Sequence, residues 1–498
     1  MEEDENEAIT PASSSPPRFD RSLWNRLKSW ELRMELLVLL MSFCNTATNV
    51  LTPTLAMNKM RRAYPTEIHD PAELKRFLTK WMVRWDQRYN LVAIPLTCLS
   101  GVFFGTSLME VSERRPFAGA YSDNRGRKLP LIAGIVGVLL DNAVRFFVWS
   151  ETFDLPLEFL FVAAVFAGLF GGFSLFMSAI NAYLSDQFEV KKTLSVRMIA
   201  VSTLFSVGSL AGAQAAGWGA KLADDLTTFA LAQLFIPVSL LYVLFKVENL
   251  RPKRPDNGEQ VGRAADGEQP SDSQRNSPVR LFVAAIVSLR DSAFVFVRRR
   301  ERSCRLFLFV CFFANFVDQL VFGEEKSLIG TYTKLPPFDW TTRDYALYKT
   351  IYPFAQIGGM LFGLLVLKRA LKWRDTGIIA LSIVSLSACC LCIGLAQRSW
   401  LIYASLAPGS LHGLLIPLTV TFLTCVVDSK EVGKTLAISS IVSRLAALLQ
   451  TAALQSVFVA TVDWCQGFVW FLLSAMSALA ACIYFGVHLA AKRLDVGA

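Results

Sequence analysis

About twelve stretches of mostly apolar residues, each as long as a bilayer requires of a helix, recur along this chain of 498 residues. Their approximate limits are 34–56, 90–109, 129–149, 158–184, 197–218, 227–247, 305–323, 345–367, 376–396, 400–427, 435–460 and 467–490. Apolar residues make up 53% of the sequence and charged ones only 18%. With a mean hydropathy of +0.40, the chain is too apolar for a soluble protein of this size, and it reads as an all-α integral membrane protein. An even number of spans puts both termini on one side.

The charges orient those spans. Basic residues cluster before the first (Arg18, Arg21, Arg26, Lys28), after the second, after the fourth (Lys191, Lys192), after the eighth (Lys368, Arg369, Lys372, Arg374) and at the C-terminus (Lys492, Arg493). The positive-inside bias makes these loops and both termini cytoplasmic. The exterior loop after the first span runs against the bias, with Lys59, Arg61, Arg62, Lys75, Arg76, Lys80, Arg84 and Arg88 beside Glu67, Asp70, Glu73 and Asp86. The net charge of +9 lies largely between spans, which points to membrane lipids as partners and not to nucleic acid.

Between the sixth and seventh spans, Pro252 to Pro278 is too polar to bury a core and reads as a disordered linker. This divides the chain into a tail (1–33), a first bundle (34–250), a cytoplasmic linker (251–304), a second bundle (305–491) and a short tail (492–498). The apolar run Leu281 to Leu289 is too short to span and suits an interfacial helix. Phe19, Leu23, Leu27 and Trp30 share one face of a basic helix that lies on the inner leaflet or packs on the bundle. The ten cysteines fall in or beside apolar segments, so neither a structural disulfide nor a zinc site is expected. The acidic, Ser/Pro-rich N-terminus is not a cleavable signal peptide, which leaves targeting to the first span.

The second and third spans are joined by Gly119-Ala-Tyr-Ser-Asp123-Asn-Arg-Gly126-Arg127-Lys128. Asp123 can cap exposed N–H groups at a helix start, Gly126 can take the positive φ of a reversal, and Arg127 and Lys128 can reach lipid phosphates or carboxylates such as Asp186. An ordinary basic loop would also fit, but the spacing favours a specific hinge. The pattern G-x-x-x-D-x-x-G-R-K resembles the signature loop of major facilitator superfamily carriers. That resemblance implies the major facilitator fold, with twelve transmembrane helices in two six-helix bundles and a substrate cavity between them.

Two further stretches are similar to the proton-coupled folate transporter family, solute carrier family 46. They are Gly171 to Asp186 and Phe322-Gly-Glu-Glu-Lys-Ser-Leu-Ile-Gly-Thr-Tyr leading to Pro336-Pro-Phe-Asp-Trp340. The folate-transporting member uses ionisable residues in its fourth, fifth, seventh and tenth spans, where this chain has Ala164, Val201, Val321 and Val420. It also has a cysteine in each of two exterior loops that this chain lacks. The resemblance therefore carries fold and transport, not folate. A second departure is an insert, Thr106 to Ala118, before the signature loop. It reads either as a lengthened helix end or as a gene-model artefact, because its charges sit badly at a hinge.

Charges inside spans are costly and mark function or pairing. Asp141 and Arg145 stand four apart on one face of the third span, the spacing of a self-neutralising pair. Asp318 in the seventh span and Arg444 in the eleventh have no local partner, so either could line the cavity or find the other across the bundle. Asp318 is the candidate proton site, with Gln319 beside it as a hydrogen-bonding group for a polar substrate. His412 follows Pro408-Gly409, where a broken helix could expose backbone to a ligand, although a lone histidine there is more often simply hydrogen-bonded.

Gly433-Lys434-Thr435 lacks the glycine-rich cradle of a nucleotide-binding loop. Three scattered histidines argue against a catalytic metal, and no nucleophile elbow is present. No cofactor is expected. The sequence leads to a secondary transporter of a small polar or amphipathic solute, with protons as the candidate coupling ion, in the plasma membrane or the lysosomal membrane. The alternative is a non-transporting receptor or scaffold on a carrier fold.

Overall fold

The computed structural model describes residues 33–65, 68–104, 126–187, 191–249, 304–415, 418–419, 422 and 442–494. The basic N-terminal helix, Gly119, Asp123, the Thr106 to Ala118 insert, the linker with its interfacial helix, and Gly433-Lys434-Thr435 lie outside them.

The described chain is helical throughout, as a lipid environment dictates, because a span must satisfy every backbone N–H and C=O internally. The helices are α1 (Arg33–Ala63), α2 (Pro71–Phe104), α3 (Lys128–Trp149), α4 (Phe159–Leu169), α5 (Gly172–Gln187), α6 (Lys191–Leu222), α7 (Asp225–Gln233), α8 (Phe235–Lys246), α9 (Cys304–Tyr332), α10 (Thr342–Phe362), α11 (Asp375–Gly394), α12 (Ser399–Ala404), α13 (Val442–Thr461) and α14 (Phe468–Leu494). Among the described residues, nine helical stretches are long and apolar enough to cross a membrane. Of the other expected spans, 90–109 falls on α2, whose first half is charged, and 197–218 falls on the Gly- and Ser-rich α6. The span at 400–427 starts at α12 and passes out of the described residues.

Several boundaries differ from the sequence reading. The first span runs on to Ala63 and not to 56, so Lys59, Arg61 and Arg62 lie in α1 and not in a loop. The helix expected to start at 90 starts at Pro71, so Lys75, Arg76, Lys80, Arg84 and Arg88 belong to a helix and not to a loop. Aromatic packing holds this extension. Trp81 stacks on Tyr64 at 4.2 Å, and Arg84 and Arg88 lie over Trp81 and Trp85. The fourth span is broken into α4 and α5, because Gly171 and Gly172 take φ of 71° and 48°, a region that only glycine enters without strain. The seventh span runs on to Tyr332 and not to 323, which brings Glu324, Glu325 and Lys326 inside the helix.

In the first half, among the described residues, α1 packs most extensively against α6. Gly208 and Gly212 stand one turn apart on α6 and face the backbone carbonyls of Leu39 and Phe43, leaving no room for a Cβ. The Ser42 hydroxyl donates to Phe205 O at 2.7 Å, and Thr46 bonds Ser209 at 2.9 Å. Small residues that let backbones meet, with hydroxyls bonding across, are the usual means of helix association where no hydrophobic drive exists. In the second half, α11 packs along α14, joined by Ser387–Ser474 and Ser477–Ile383 bonds.

The halves meet where α6 packs on α10, with Gln214 donating to Thr350 at 2.7 Å, and where α2 packs on α13, with Gln87 reaching Ser456 at 2.8 Å.

Candidate functional site

A cavity of about 510 Å³ lies between the halves, within the usual range for small-molecule sites. α1, α2 and α3 supply one wall, including Asn49, Trp85, Asp86, Tyr89, Arg145 and Trp149. α9, α10 and α13 supply the other, including Lys326, Thr331, Tyr345, Lys349 and Gln455. The lining is aromatic with a few charges, the composition of a site for a solute that is part apolar and part polar.

Each charge in the wall is held differently. Arg145 Nε lies 2.9 Å from Asp141 Oδ1, which also accepts from Tyr89 Oη at 3.0 Å, and the guanidinium covers the Tyr89 ring at 4.3 Å. Asp86 Oδ2 accepts from Asn90 and Gln455 at 3.0 and 3.1 Å, the second bond coming from the opposite half. Lys326 lies 3.9 Å from the Phe322 ring centroid, and Lys349 lies 5.3 Å from that of Tyr345.

Behind the wall is a buried ionisable cluster. Asp318 (1% exposed) and His412 (3%) meet at 2.6 Å between Oδ1 and Nε2, with Phe322 packed on the imidazole at 4.3 Å. The chain around His412 leaves the α-helix for a 3-10 turn, Ser410–Leu414, after Pro408-Gly409, and this turns the ring toward α9. Among the described residues, Asp318 Oδ2 and His412 Nδ1 have no hydrogen-bond partner. Glu324 (0% exposed) accepts from Gln450 Nε2 at 3.0 Å, in a π-helical stretch of α13, and Glu325 (1%) accepts from Tyr348 Oη at 3.3 Å. Each carboxyl has a second oxygen without a partner among the described residues. Buried polar atoms left over in this way call for an explanation, and a proton path is one.

The structure does not pair Asp318 with Arg444. Arg444 donates instead to Ser174 Oγ of α5 at 2.5 Å, so it ties the two halves together, and His412 takes the place by Asp318. Gln319 is half-buried beside Asp318 and does not line the cavity. At the end of the signature loop, Gly126 has φ of 109°, and the Lys128 ammonium donates to Leu244 O at 2.8 Å. Sequence reasoning missed Asp86, Tyr89, Glu324, Glu325, Lys326 and Lys349. One signal was available: Glu325 follows Asp318 by seven residues, two turns along one helix face.

At the end of the bundle opposite Arg127, the halves are tied together. Lys75 pairs with Asp339 at 2.5 Å, Lys80 pairs with Asp463, and Thr342 Oγ1 bonds both Thr54 and Asp225 at 2.8 and 3.0 Å. On the same face Lys59 (3% exposed) is buried against Asp154 at 2.7 Å, and the Lys59 ammonium holds the Asp154 carboxyl below its ordinary range.

Lys334, just beyond α9, donates to Thr54 Oγ1 at 2.7 Å. Burial pushes its ammonium down to about 8, against the support of Asp225 and Asp344. From about pH 8 to the unfolded value of about 10.4, the folded chain therefore holds fewer protons than the unfolded one. Stability should rise with pH across that window, and Lys334→Met should remove the rise. Melting curves of both proteins check this, and parallel curves would sink the assignment.

Comparison with known proteins agrees with this architecture. The Major Facilitator Superfamily model matches residues 115–451. The lysosomal proton-coupled steroid conjugate and bile acid symporter SLC46A3 of Gallus gallus is 23% identical over 360 residues, 72% of each chain, and that of Rattus norvegicus is 25% identical over 71% of each. The probable peptidoglycan muropeptide transporter SLC46 of Drosophila melanogaster is 22% identical, over 70% of this chain and 64% of its own. Among solved structures, a peptide transporter POT in complex with sulfate superposes with a TM-score of 0.60 at 10% identity, covering 93% of this chain and 96% of the other. A POT family transporter in complex with 5-aminolevulinic acid gives 0.61 at 12% identity and the same coverage. At that identity the likeness speaks for the fold alone. The chain belongs to the Major Facilitator Superfamily and resembles solute carrier family 46, so it is an integral membrane secondary transporter and not an enzyme.

Proposed function

We propose that the chain carries a small amphipathic organic solute across the membrane, in symport with protons, by alternating access between two six-helix bundles that together make twelve spans. The observation that carries this reading is the cavity of about 510 Å³ walled by both halves, because a site shared by two bundles can be offered to either side as they rock. The ties between Lys75 and Asp339 and between Lys80 and Asp463 would then belong to the state shut at that end. They would have to break in the other.

Proton coupling is supported by the Asp318–His412 pair and by the two buried glutamates behind the cavity. The similar symporters of Gallus gallus and Rattus norvegicus, proton-coupled and acting on steroid conjugates and bile acids, point the same way, and they suggest a solute with a steroid-like body and a polar group. Aromatic walls suit such a body. A lysosomal membrane with both termini in the cytosol is the matching location. Purified protein in liposomes, given a labelled bile acid and an inward proton gradient, tests the reading. Accumulation that a protonophore abolishes is expected. Binding without any net flux would favour the receptor reading instead.

Within this cycle Asp123, with Gly119, Gly126, Arg127 and Lys128, is the hinge. Asp123→Ala should slow exchange about tenfold or more while changing substrate affinity by less than about threefold, since it biases a conformational step and not the site. Uptake kinetics beside equilibrium binding check this. A loss of affinity as large as the loss of rate would rule out a hinge role.

A further inference from the structure

Among the described residues, three cations line the cavity, and they are not equivalent. Arg145 is committed to Asp141 and Tyr89. Lys326 and Lys349 are not: among the described residues, no carboxylate oxygen lies within 4.0 Å of either ammonium. Both line the cavity from α9 and α10, each resting on an aromatic face, and they are near enough to act on each other. More than a third of the Lys326 surface is exposed, and it opens into the cavity. Two like charges brought together in a span are expensive unless something negative answers them.

The carboxylate that acts most on Lys326 is Glu325, which also acts on Lys349 and lies behind the wall beside Tyr348, Tyr352, Cys389 and His412, the last already paired with Asp318. Its carboxyl points into that niche and not into the cavity. It therefore balances the lysines from behind while leaving their N–H donors turned to the open side.

We propose that Lys326 and Lys349 are the anion-binding pair of the cavity, receiving the carboxylate or sulfate of an amphipathic organic anion whose apolar body lies along Trp149, Trp85 and Tyr89. The assignment rests on the reading of the cavity as a substrate site. Glu325 is a positioning residue in it. While Glu325 is ionised it competes with the substrate for the lysines, and when it takes a proton the pair is released to the incoming anion, so that proton and anion favour each other's binding. Among the described residues, no hydrogen-bond donor other than the lysines and Arg145 brings a full charge to the cavity. The headgroup is thus recognised by point charges that accept either anion geometry, and carboxylates and sulfates should compete for one site.

The experiment is equilibrium binding to detergent-purified full-length protein, with three probes: a bile acid carrying a carboxylate, the same bile acid reduced to its uncharged alcohol, and a steroid sulfate. The two anions should compete with each other, and the alcohol should bind about 10-fold or more weakly, the scale of a charge-assisted hydrogen bond. Lys326→Gln and Lys349→Gln should each weaken the anions about 10-fold and leave the alcohol unchanged. Lys326→Arg should retain most of the affinity. Glu325→Gln should tighten the anions and flatten the pH dependence of their binding.

Size-exclusion profiles and alcohol binding show whether each variant is folded. Equal affinities for acid and alcohol, anion binding indifferent to both lysines, or no binding by any probe would overturn the proposal. Anion binding that depends on the lysines, in a protein that shows no flux in liposomes, would uphold the pair and overturn the transport cycle instead.

Discussion

Asp318→Asn is expected to leave substrate exchange running while abolishing accumulation driven by a proton gradient. The carboxylate is almost wholly buried, its Oδ1 lies 2.6 Å from His412 Nε2, and its Oδ2 has no partner among the described residues. An amide keeps the shape of the group and can still bond the imidazole, but it cannot hold a transferable proton. In a one-proton symport, each unit of pH difference is worth about 1.4 kcal/mol, or about a tenfold concentration ratio. The variant should fall to a ratio of about one at any gradient. Counterflow of labelled against unlabelled solute, which needs no net proton movement, should persist. If accumulation survives in Asp318→Asn, the Asp318–His412 pair is structural and the proton on Glu325, which favours anion binding, is itself the one carried across.

The second large effect is expected at the α1–α6 contact. Gly212→Leu places a branched side chain where the α1 backbone carbonyl of Phe43 already stands, and Gly208→Leu does the same at Leu39. Overpacking commonly costs about 1–3 kcal/mol when neighbouring side chains can shift. Here the obstacle is backbone, so the helices must separate and the Ser42–Phe205 and Thr46–Ser209 bonds must open with them. Either variant should lose most of its folded, monodisperse fraction, while Gly358→Leu on α10, where a Cβ meets nothing within 4 Å, serves as the control. A Gly212→Leu protein that melts like the parent would show that this contact does not hold α1 and α6 together.

These two sites differ in how visible they are in the chain. Asp318 stands out in a linear reading because a lone carboxylate in an apolar stretch is costly, and the cost shows without any coordinates. The small residues of α6 carry no such mark, although Gly208 and Gly212 have the spacing of a close helix contact. The same contrast holds in the wall of the cavity. Asp141 and Arg145 are four residues apart, so their meeting is a property of one helix. Asp86 and Gln455 are far apart in sequence and meet only because α2 packs on α13.

Composition and periodicity by themselves determined that the chain is an α-helical membrane protein, since about twelve apolar stretches of span length leave few alternatives. The signature loop and the family-like stretches determined that it is a carrier. Tertiary structure alone decided the partners of its buried charges. Asp318 went to His412 and not to Arg444, and Arg444 went to Ser174. Sequence separation says nothing about which faces of two helices are turned together, because that depends on how whole bundles pack. It also decided that Glu324, Glu325 and Lys326 lie inside a helix. Such a cluster reads as a loop in the sequence and becomes tolerable in a span only once a cavity, a glutamine and a tyrosine are brought to it from other helices.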